Sequence, residues 1–406
     1  MRIALSCLSL SLAALLLAAP VARADQITDA NARINDLIIA EKLPPPRANR
    51  ALAIAHVAAY EAGNAITHRY PASGRTRLNA QRGASLDMAF AAAIHASLLE
   101  LLPGQKAQID ADFDAARAKI ADGAARTNGM AVGEEAARQI LARSREDGAM
   151  QSDAYVPFTQ PGRYVPTTTV AVPYWGQRKP WVLTSGDEFR PGPPPALDSA
   201  IWARDYNEIR AIGAKDSRTR TAEQTAIARF WEATQPTIYY PLARAVAAQP
   251  GRDPMRNARL FATVGMAIDD ALIAVFDAKY AYNFWRPVTA IRNGDADGNE
   301  ATTVEAGWTP FIETPMHPEY PCAHCIVSSA LATVLAADIG RGPMPVIATT
   351  SPTAPGVTRT WTSLPEFVQE VSNARIYDGV HFRNSTEVGT ALGRKVGEKV
   401  VRVMLR

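Results

Sequence analysis

The chain has 406 residues, with 43 Lys and Arg against 40 Asp and Glu and a formal net charge of +3 at pH 7. This near balance gives no sign of a nucleic-acid or anionic-membrane partner, for which a strong excess of basic residues is typical. With 47% hydrophobic residues, the chain can bury a sizeable core in one large domain or two smaller ones.

The first 24 residues have the features of an export signal. Arg2 precedes an apolar run from Ile3 to about Leu17, and Ala22-Arg23-Ala24 has the small-x-small pattern of a signal peptidase site. The apolar run is too short for a good membrane span. We therefore expect residues 1–24 to be a signal peptide, and the mature chain to be periplasmic or secreted without a stable membrane anchor.

Helical periodicity dominates residues 25–155. Apolar and small residues recur at helical spacing in four segments, which run from about Arg47 to Thr67, Leu86 to Leu102, Gln105 to Ala121 and Gly129 to Arg145. Pro103-Gly104 separates two of these segments, as expected of a turn between helices. The pattern predicts an N-terminal helical bundle with short links over residues 25–155.

Residues 156–198 interrupt this pattern. Nine prolines in this stretch block regular helix. Tyr174, Trp175 and Trp181 lie among them, and aromatic residues favour packing over a floppy linker. We predict a long ordered connection that wraps over the core.

Helical periodicity returns over residues 199–406. The predicted helices run from about Ser199 to Ile212, Thr221 to Ala233, Leu242 to Ala248, Pro254 to Lys279, His324 to Gly340 and Ser385 to Met404. No strand alternation persists long enough to predict a sheet. The sequence therefore predicts an all-α fold of two packed helical bundles, the second over residues 199–406.

Two cations follow the longest predicted helix. Lys279 continues the buried stripe of that helix four residues after Val275, where a lysine is unfavourable unless an anion meets it. Arg286 comes seven residues later, so both cations would point the same way if the helix continued, although Pro287 limits that turn. The alternative is that both side chains snorkel to solvent past an apolar face.

A proline-rich run leads into the helix predicted near His324. Pro315, Pro318 and Pro321 force an extended approach, and the small Ala323 allows a ligand close to the backbone. The free N–H groups and positive dipole end of the first turn favour an anion there. His324 can exchange a proton near neutral pH; the alternative is a capping histidine without chemistry.

Arg375 and His381 are six residues apart, which on a continuous helix would place them on different faces. Gly379 lies between them and breaks the helix, so both side chains could converge from a bend. An arginine fork suits a tetrahedral oxyanion. His381 could then be a nucleophile towards phosphorus or a ligand to vanadium.

Three segments, taken in chain order, have the spacing of a known signature. They are Lys279 with Arg286-Pro287, then Pro321-Cys322-Ala323-His324, then Arg375 with His381. The chain resembles the vanadium-dependent haloperoxidases and type 2 phosphatidic acid phosphatases. The context Phe284–Pro287 and the context His317–Pro321 resemble the haloperoxidase-like bacterial branch, and the likeness covers most of the mature chain.

The resemblance implies an all-α enzyme with its site in the C-terminal bundle. Lys279, Arg286, Arg375 and the N–H of Ala323 would hold the oxyanion, while His381 would bond vanadium and His324 would be general acid and base. The implied reaction is peroxide-dependent halide oxidation at vanadate, in which Lys279 polarises the peroxide.

Two other functions remain open. The runner-up is a secreted acid phosphatase that needs no cofactor, cleaves a phosphate ester and passes through a phosphohistidine at the same site. The third is a non-catalytic protein that binds phosphate. The substrates are therefore hydrogen peroxide and halide, or a phosphate ester, and by resemblance a homodimer is possible.

The sequence departs from the family at two positions. The family usually has Ser-Gly before the first histidine, where this chain has Cys322-Ala323, and an Asp four residues after the last histidine, where this chain has Ser385. The lost carboxylate weakens the expected orientation of His381. His317 occupies a position that the family associates with preference for bromide over chloride.

Cys322 and Cys325 allow several interpretations. A free thiol beside hypohalous acid would oxidise quickly, so we expect the two to form a disulfide. The Cys-x-x-Cys pattern also fits a thiol–disulfide oxidoreductase, but no βαβ pattern surrounds it. A zinc site from both cysteines and His324 would need strained geometry and a fourth ligand.

Overall fold

The computed structural model describes residues 25–405, and the predicted signal peptide lies outside them. The described residues form mostly helices, as predicted, which confirms the all-α class. In chain order the N-terminal helices are α1 (Gln26–Glu41), α2 (Pro45–Thr67), α3 (Leu86–Leu101), α4 (Lys106–Arg117) and α5 (Ala124–Arg145). Those that follow are α6 (Ala200–Ile212), α7 (Ala222–Trp231), α8 (Tyr240–Ala247), α9 (Pro254–Tyr282), α10 (Pro287–Arg292), α11 (Ala323–Ile339), α12 (Leu364–Tyr377) and α13 (Arg383–Met404).

The expectation of no sheet was wrong. Strands β1 (Ile347–Ser351) and β2 (Ala354–Trp361) form an antiparallel hairpin with an irregularity between Thr350 and Ser351. The strand β1 has only five residues, and its buried positions include two hydroxyl side chains, Thr349 and Ser351. An alternation this short and this polar gives no apolar signal that marks a strand.

The helix α9 lies at the centre of the molecule. It packs against α2 on one side and against α11 and α13 on the other, so a continuous core joins the two predicted bundles. Most of its side chains are buried, which explains why its apolar pattern is nearly all-round rather than a narrow stripe. A ligand site at its C-terminal end would therefore lie on the longest helix of the described residues, which is largely buried.

Two adjacent carboxylates on α9 fix the proline-rich connection to this centre. Asp270 accepts the backbone N–H groups of Trp181, Val182 and Leu183 at 2.7, 2.8 and 3.0 Å. Asp269 accepts Nη1 of Arg178 at 2.8 Å and the indole N–H of Trp181 at 2.9 Å. The prolines prevent the connection from forming regular secondary structure, so part of its backbone is instead hydrogen-bonded to side chains of α9.

A second, aromatic cluster supports the segments that carry the predicted site residues. It contains twelve buried hydrophobic side chains, among them Trp202, Phe284, Trp285, Tyr320 and Phe382. Phe284, Trp285, Tyr320 and Phe382 each lie one or two positions in sequence from a predicted site residue. Packing of these rings therefore limits the motion of loops that would otherwise be mobile.

No single helix between residues 25 and 405 is long and apolar enough to cross a membrane; the bent pair Leu86–Leu101 and Pro103–Arg117 passes that test by length and composition only.

Candidate oxyanion site

Lys279 lies in the last turn of α9 and is fully buried, so it does not snorkel to solvent. Its Nζ donates to the carbonyl oxygens of Pro318 and Glu319 at 2.9 and 2.8 Å. An ammonium has three N–H donors, so one remains for a ligand. Burial, followed by the nearby Arg286 guanidinium, lowers the pKa of Lys279 well below its ordinary value.

Arg286 reaches the same region by a different route from the one expected. The helix α9 ends at Tyr282, Asn283 has a φ of 53°, and Arg286 precedes α10 in extended backbone. Its Nε donates to the carbonyl of His317 and its Nη1 to the carbonyl of Val380, both at 2.8 Å. Burial lowers the pKa of Arg286 to about 10, so the fully buried guanidinium stays charged at neutral pH.

The first turn of α11 holds Ala323 and His324, as the sequence predicts. Cys322 precedes it, and its sulfur accepts the N–H of Cys325 at 3.1 Å. The two cysteines form a disulfide, so the zinc alternative is wrong. Both sulfurs are occupied and buried, and a Cβ on Gly389 of α13 would lie 2.6 Å from the carbonyl oxygen of Cys322. The start of α11 is therefore held by the disulfide and by close packing against α13.

His324 donates from Nε2 to the carbonyl oxygen of Ala233 at 3.1 Å. A carbonyl oxygen can only accept, so the proton is on Nε2 and Nδ1 is the basic nitrogen. Burial lowers the pKa of His324 well below its ordinary value, with Arg375 as the next cause. The ring is neutral in the absence of an anion, and its carbonyl partner lies outside α11, so it does not cap its own helix.

Arg375 lies in the last turn of α12, and its Nη1 donates to the carbonyl of Trp231 at 2.7 Å. The backbone then turns back at Gly379, which has a φ of 79° that favours glycine. The carbonyl of Arg375 accepts the N–H of His381 at 3.1 Å, so the bend predicted from the glycine does bring the two residues together. Arg375 also forms an ion pair with Asp378, which the sequence analysis did not assign to the site.

His381 has the carboxylate partner that Ser385 could not supply. Its Nδ1 donates to Oε1 of Glu319 at 2.8 Å, and the same oxygen accepts the N–H of Phe382 at 3.0 Å. When Glu319 is ionised, its oxygen can only accept, which places the proton on Nδ1 and leaves Nε2 as a lone-pair nitrogen. Nη1 of Arg286 lies 3.4 Å from that Nε2. Burial lowers the pKa of His381 well below its ordinary value.

Two buried carboxyl groups thus accompany the cations, and the sequence analysis missed both. Glu319 faces Lys279 and Arg286, and Asp378 faces Arg375. Burial raises the pKa of each to about 7, and the neighbouring cations offset only part of that shift. A carboxylate within a proline-rich run that leads to a ligand helix was the available signal for Glu319.

A cavity of about 990 Å³ opens onto the site. Its lining includes five of the predicted site residues, His317, Ala323, His324, Arg375 and His381. Lys279 and Arg286 lie behind this surface, where they influence the pKa values of His317 and His381. These seven of the predicted residues therefore belong to one pocket and its immediate support.

The donor set fits a small oxyanion better than a cation. Arg375 Nε is buried without an acceptor among the described residues, and Lys279 retains one donor. Between residues 25 and 405 no cluster of three or more His, Cys, Asp or Glu could hold a metal cation. A vanadate or phosphate ion would supply the acceptors that these buried donors require.

Comparisons with known proteins identify similar enzymes. Residues 259–406 match the model of the second helical-bundle domain of vanadium chloroperoxidase. Vanadium chloroperoxidase of Curvularia inaequalis is 25% identical over 200 residues, which is 42% of this chain and spans only a third (33%) of that enzyme.

Solved structures extend the similarity to nearly the whole chain. A bacterial vanadium-dependent iodoperoxidase superposes with a TM-score of 0.80 and 25% identity, covering 93% of this chain and 95% of that one. The apo form of a bacterial vanadium-dependent chloroperoxidase, at 16% identity, shares the fold with a TM-score of 0.74 over 90% of this chain and 95% of its own. Residues 259–406 thus match a bundle domain of the vanadium haloperoxidases, and nearly the whole chain shares the fold of these enzymes.

Proposed function

We propose that this protein is a vanadium haloperoxidase-like enzyme, which uses hydrogen peroxide to oxidise halide ions with vanadate as its cofactor. The observation that carries the proposal is the contact between Glu319 and Nδ1 of His381, which leaves Nε2 as a lone-pair nitrogen in an anion-binding pocket. Such a nitrogen is the ligand that vanadium requires and that a phosphate-binding relic would not need.

Each residue of the site would have a separate role. The oxygens of vanadate would be held by Lys279, Arg286, Arg375 and the N–H of Ala323, and the metal would be held by Nε2 of His381. When bound, vanadate supplies a Lewis-acidic centre that activates hydrogen peroxide towards halide.

His324 has the right protonation for the proton transfer. Its Nε2 proton is engaged by the carbonyl of Ala233, so Nδ1 would take the proton that peroxide loses and return it to the leaving oxygen. The low pKa caused by burial keeps this nitrogen free at neutral pH, and a bound oxyanion would raise that pKa.

The test is an assay of the purified protein with and without added vanadate. Oxidation of iodide to triiodide that needs both hydrogen peroxide and vanadate, and that is lost in His381→Ala, is the expected result. Hydrolysis of p-nitrophenyl phosphate that vanadate inhibits would instead support the phosphatase. Absence of both activities in folded protein would contradict the proposal and favour the phosphate-binding relic.

We also propose that the protein works in the periplasm or outside the cell. The Cys322–Cys325 disulfide supports this, because such bonds persist in oxidising compartments. Fractionation of the producing cells, with removal of residues 1–24 checked by N-terminal sequencing, tests it; intact protein in the cytosol would contradict it.

A further inference from the structure

The disulfide between Cys322 and Cys325 encloses two residues of the candidate site. It spans the first turn of α11, and the residues between its cysteines are Ala323 and His324, both of which line the cavity. The N–H of Ala323 is the predicted oxyanion donor, and His324 is the predicted acid and base. The covalent state of the two cysteines therefore limits the backbone conformations that both site residues can adopt.

The same cysteines contact the segment that follows His381. The N–H of Cys322 donates to the carbonyl of Ser385 at 3.2 Å, and a Cβ on Gly389 would lie 3.2 Å from Cβ of Cys325. Both cysteines are fully buried. If the bond were absent, the two sulfurs would stay at the start of α11, because close packing against α13 leaves little space for either side chain to move away.

Loss of the bond would change the charge at this helix start. Sγ of Cys322 accepts the N–H of Cys325 at 3.1 Å, and it carries no charge while it is bonded to the other sulfur. A free thiol at the N-terminus of a helix and near cationic side chains ionises more readily than an ordinary thiol. Besides burial, Arg375 and Lys279 lower the pKa of His324, so their positive charge acts on this turn. A reduced Cys322 would therefore be held there as a thiolate.

A thiolate and an oxyanion would compete for the same end of α11. The helix dipole and the free N–H groups of the first turn favour a negative charge there, and a second negative charge close by is repelled. Oxidation of Cys322 and Cys325 to the disulfide removes the thiolate and leaves these groups available to a ligand.

We propose that Cys322 and Cys325 form a redox switch of the oxyanion site. In the reduced chain the Cys322 thiolate occupies the positive end of α11 and excludes vanadate or phosphate, and the disulfide opens the site to the anion. The proposal rests on the proposed function, which supplies that anion. The switch would keep the enzyme without its cofactor in the reducing cytosol and allow the cofactor to bind after export.

The oxidation balances with a small disulfide, such as oxidised glutathione, as the oxidant. The Cys322 thiolate attacks one sulfur of the oxidant, whose sulfur–sulfur bond breaks as a mixed disulfide forms. The thiol of Cys325 then loses its proton and displaces the second glutathione, which closes the intramolecular bond. Two electrons pass to the oxidant, which leaves as two thiols. The exchange precedes the packing of α13 over the pair, because both sulfurs are buried in the folded chain.

Calorimetric titration with sulfate, without vanadate, compares two variants that both lack the bond. Cys325→Ser keeps a free thiol at Cys322 and should bind sulfate about 10- to 100-fold more weakly than wild type, as expected for a nearby like charge in a partly screened site. The matched variant, Cys322→Ser combined with Cys325→Ser, replaces that sulfur by oxygen. It should bind sulfate about tenfold more tightly than Cys325→Ser, because a serine hydroxyl accepts the helix N–H without a charge.

Two further measurements accompany this titration. Both variants lose the same covalent constraint, so their free energies of unfolding in urea should fall equally, which separates anion affinity from folding. Wild type refolded with dithiothreitol should bind sulfate as weakly as Cys325→Ser, and wild type refolded with oxidised glutathione should bind it as tightly as the native protein.

The outcomes separate the switch from the proposed function, because sulfate binding needs neither peroxide nor halide. Equal sulfate affinity in the two variants, or in wild type refolded under the two conditions, would overturn the switch even if the enzyme oxidises iodide. Redox-dependent sulfate binding in a protein that does not oxidise iodide would support the switch and overturn the proposed function. Wild type that binds no sulfate in either state would overturn both.

Discussion

Glu319 Oε1 lies 2.8 Å from Nδ1 of His381, although the two residues are 62 positions apart in the chain. The family pattern places a carboxylate four residues after this histidine, where Ser385 now reaches Nδ1 only at 3.5 Å. The carboxylate therefore comes from a different segment, and the orientation that the Ser385 departure put in doubt is provided by Glu319.

Replacement of this carboxylate should impair the reaction without unfolding the protein. Glu319→Gln keeps an oxygen for Nδ1 but removes the charge, and we expect vanadate-dependent iodide oxidation to fall about 10- to 100-fold, the usual effect of losing a ligand's hydrogen-bond partner. Ser385→Ala is the matched control and should change the rate by less than about threefold. A larger loss in Ser385→Ala than in Glu319→Gln would refute the assignment.

Anion binding should tighten as the pH falls through 7. The pKa values of Glu319 and Asp378 are raised to about 7, so both are ionised above this pH and neutral below it. Their protonation removes two negative charges that compete with the anion for Lys279, Arg286 and Arg375. Sulfate does not titrate in this range, and its affinity should rise on the order of tenfold from pH 8 to pH 6.

The variant Glu319→Gln combined with Asp378→Asn provides the control for this titration. Glu232, Arg220 and Arg229 also surround Asp378 and stay unchanged in it. Its sulfate affinity should be nearly independent of pH in calorimetric titrations. The same pH dependence in wild type and double variant would show that other groups are responsible.

His317→Phe should shift halide preference towards chloride. Nη2 of Arg286 donates to Nδ1 of His317 at 3.0 Å, and this charged donor outweighs the carbonyl of Pro318 at 3.2 Å, so the free N–H is on Nε2. Phenylalanine removes that N–H from the cavity wall. We expect the ratio of bromide to chloride oxidation to fall about two- to tenfold, as measured by steady-state rates; an unchanged ratio would exclude halide tuning by His317.

The hydrogen bonds from α9 to the proline-rich connection should contribute strongly to stability. Asp270→Ala leaves three backbone N–H groups without acceptors, and we expect the free energy of unfolding to fall by about 2–5 kcal/mol in urea titrations. Asp277, which also lies on α9, forms a partly exposed ion pair with Arg190. Its removal in Asp277→Ala should lower the free energy of unfolding by about 0–1 kcal/mol. Equal effects would contradict this account of the connection.

The helices and the two cations were predictable because they depend on local pattern and on the cost of burying charge. Lys279 was assigned to the site from its place in a buried stripe, and the break between Arg375 and His381 followed from Gly379. The route of Arg286 was not predicted, although Asn283, which ends α9 in left-handed backbone, is of a residue type that often ends helices in this way.

Glu319 and Asp378 were missed for a different reason. A buried carboxylate looks in sequence like any exposed one, and its role is set by long-range contacts such as that with His381. The hairpin of β1 and β2 was missed because its burial pattern depends on packing by α7, α8 and α12 rather than on apolar alternation. Contacts between residues that are far apart in sequence therefore determine features that hydrophobic periodicity does not predict.

The crystal structure of the protein soaked with orthovanadate is the most direct test of the central claim. We predict vanadium bonded to Nε2 of His381, with its oxygens in contact with Lys279, Arg286 and Arg375 and with Nδ1 of the same histidine still bonded to Glu319. Vanadate bound at another place, or a His381 ring that meets it through Nδ1, would contradict the account.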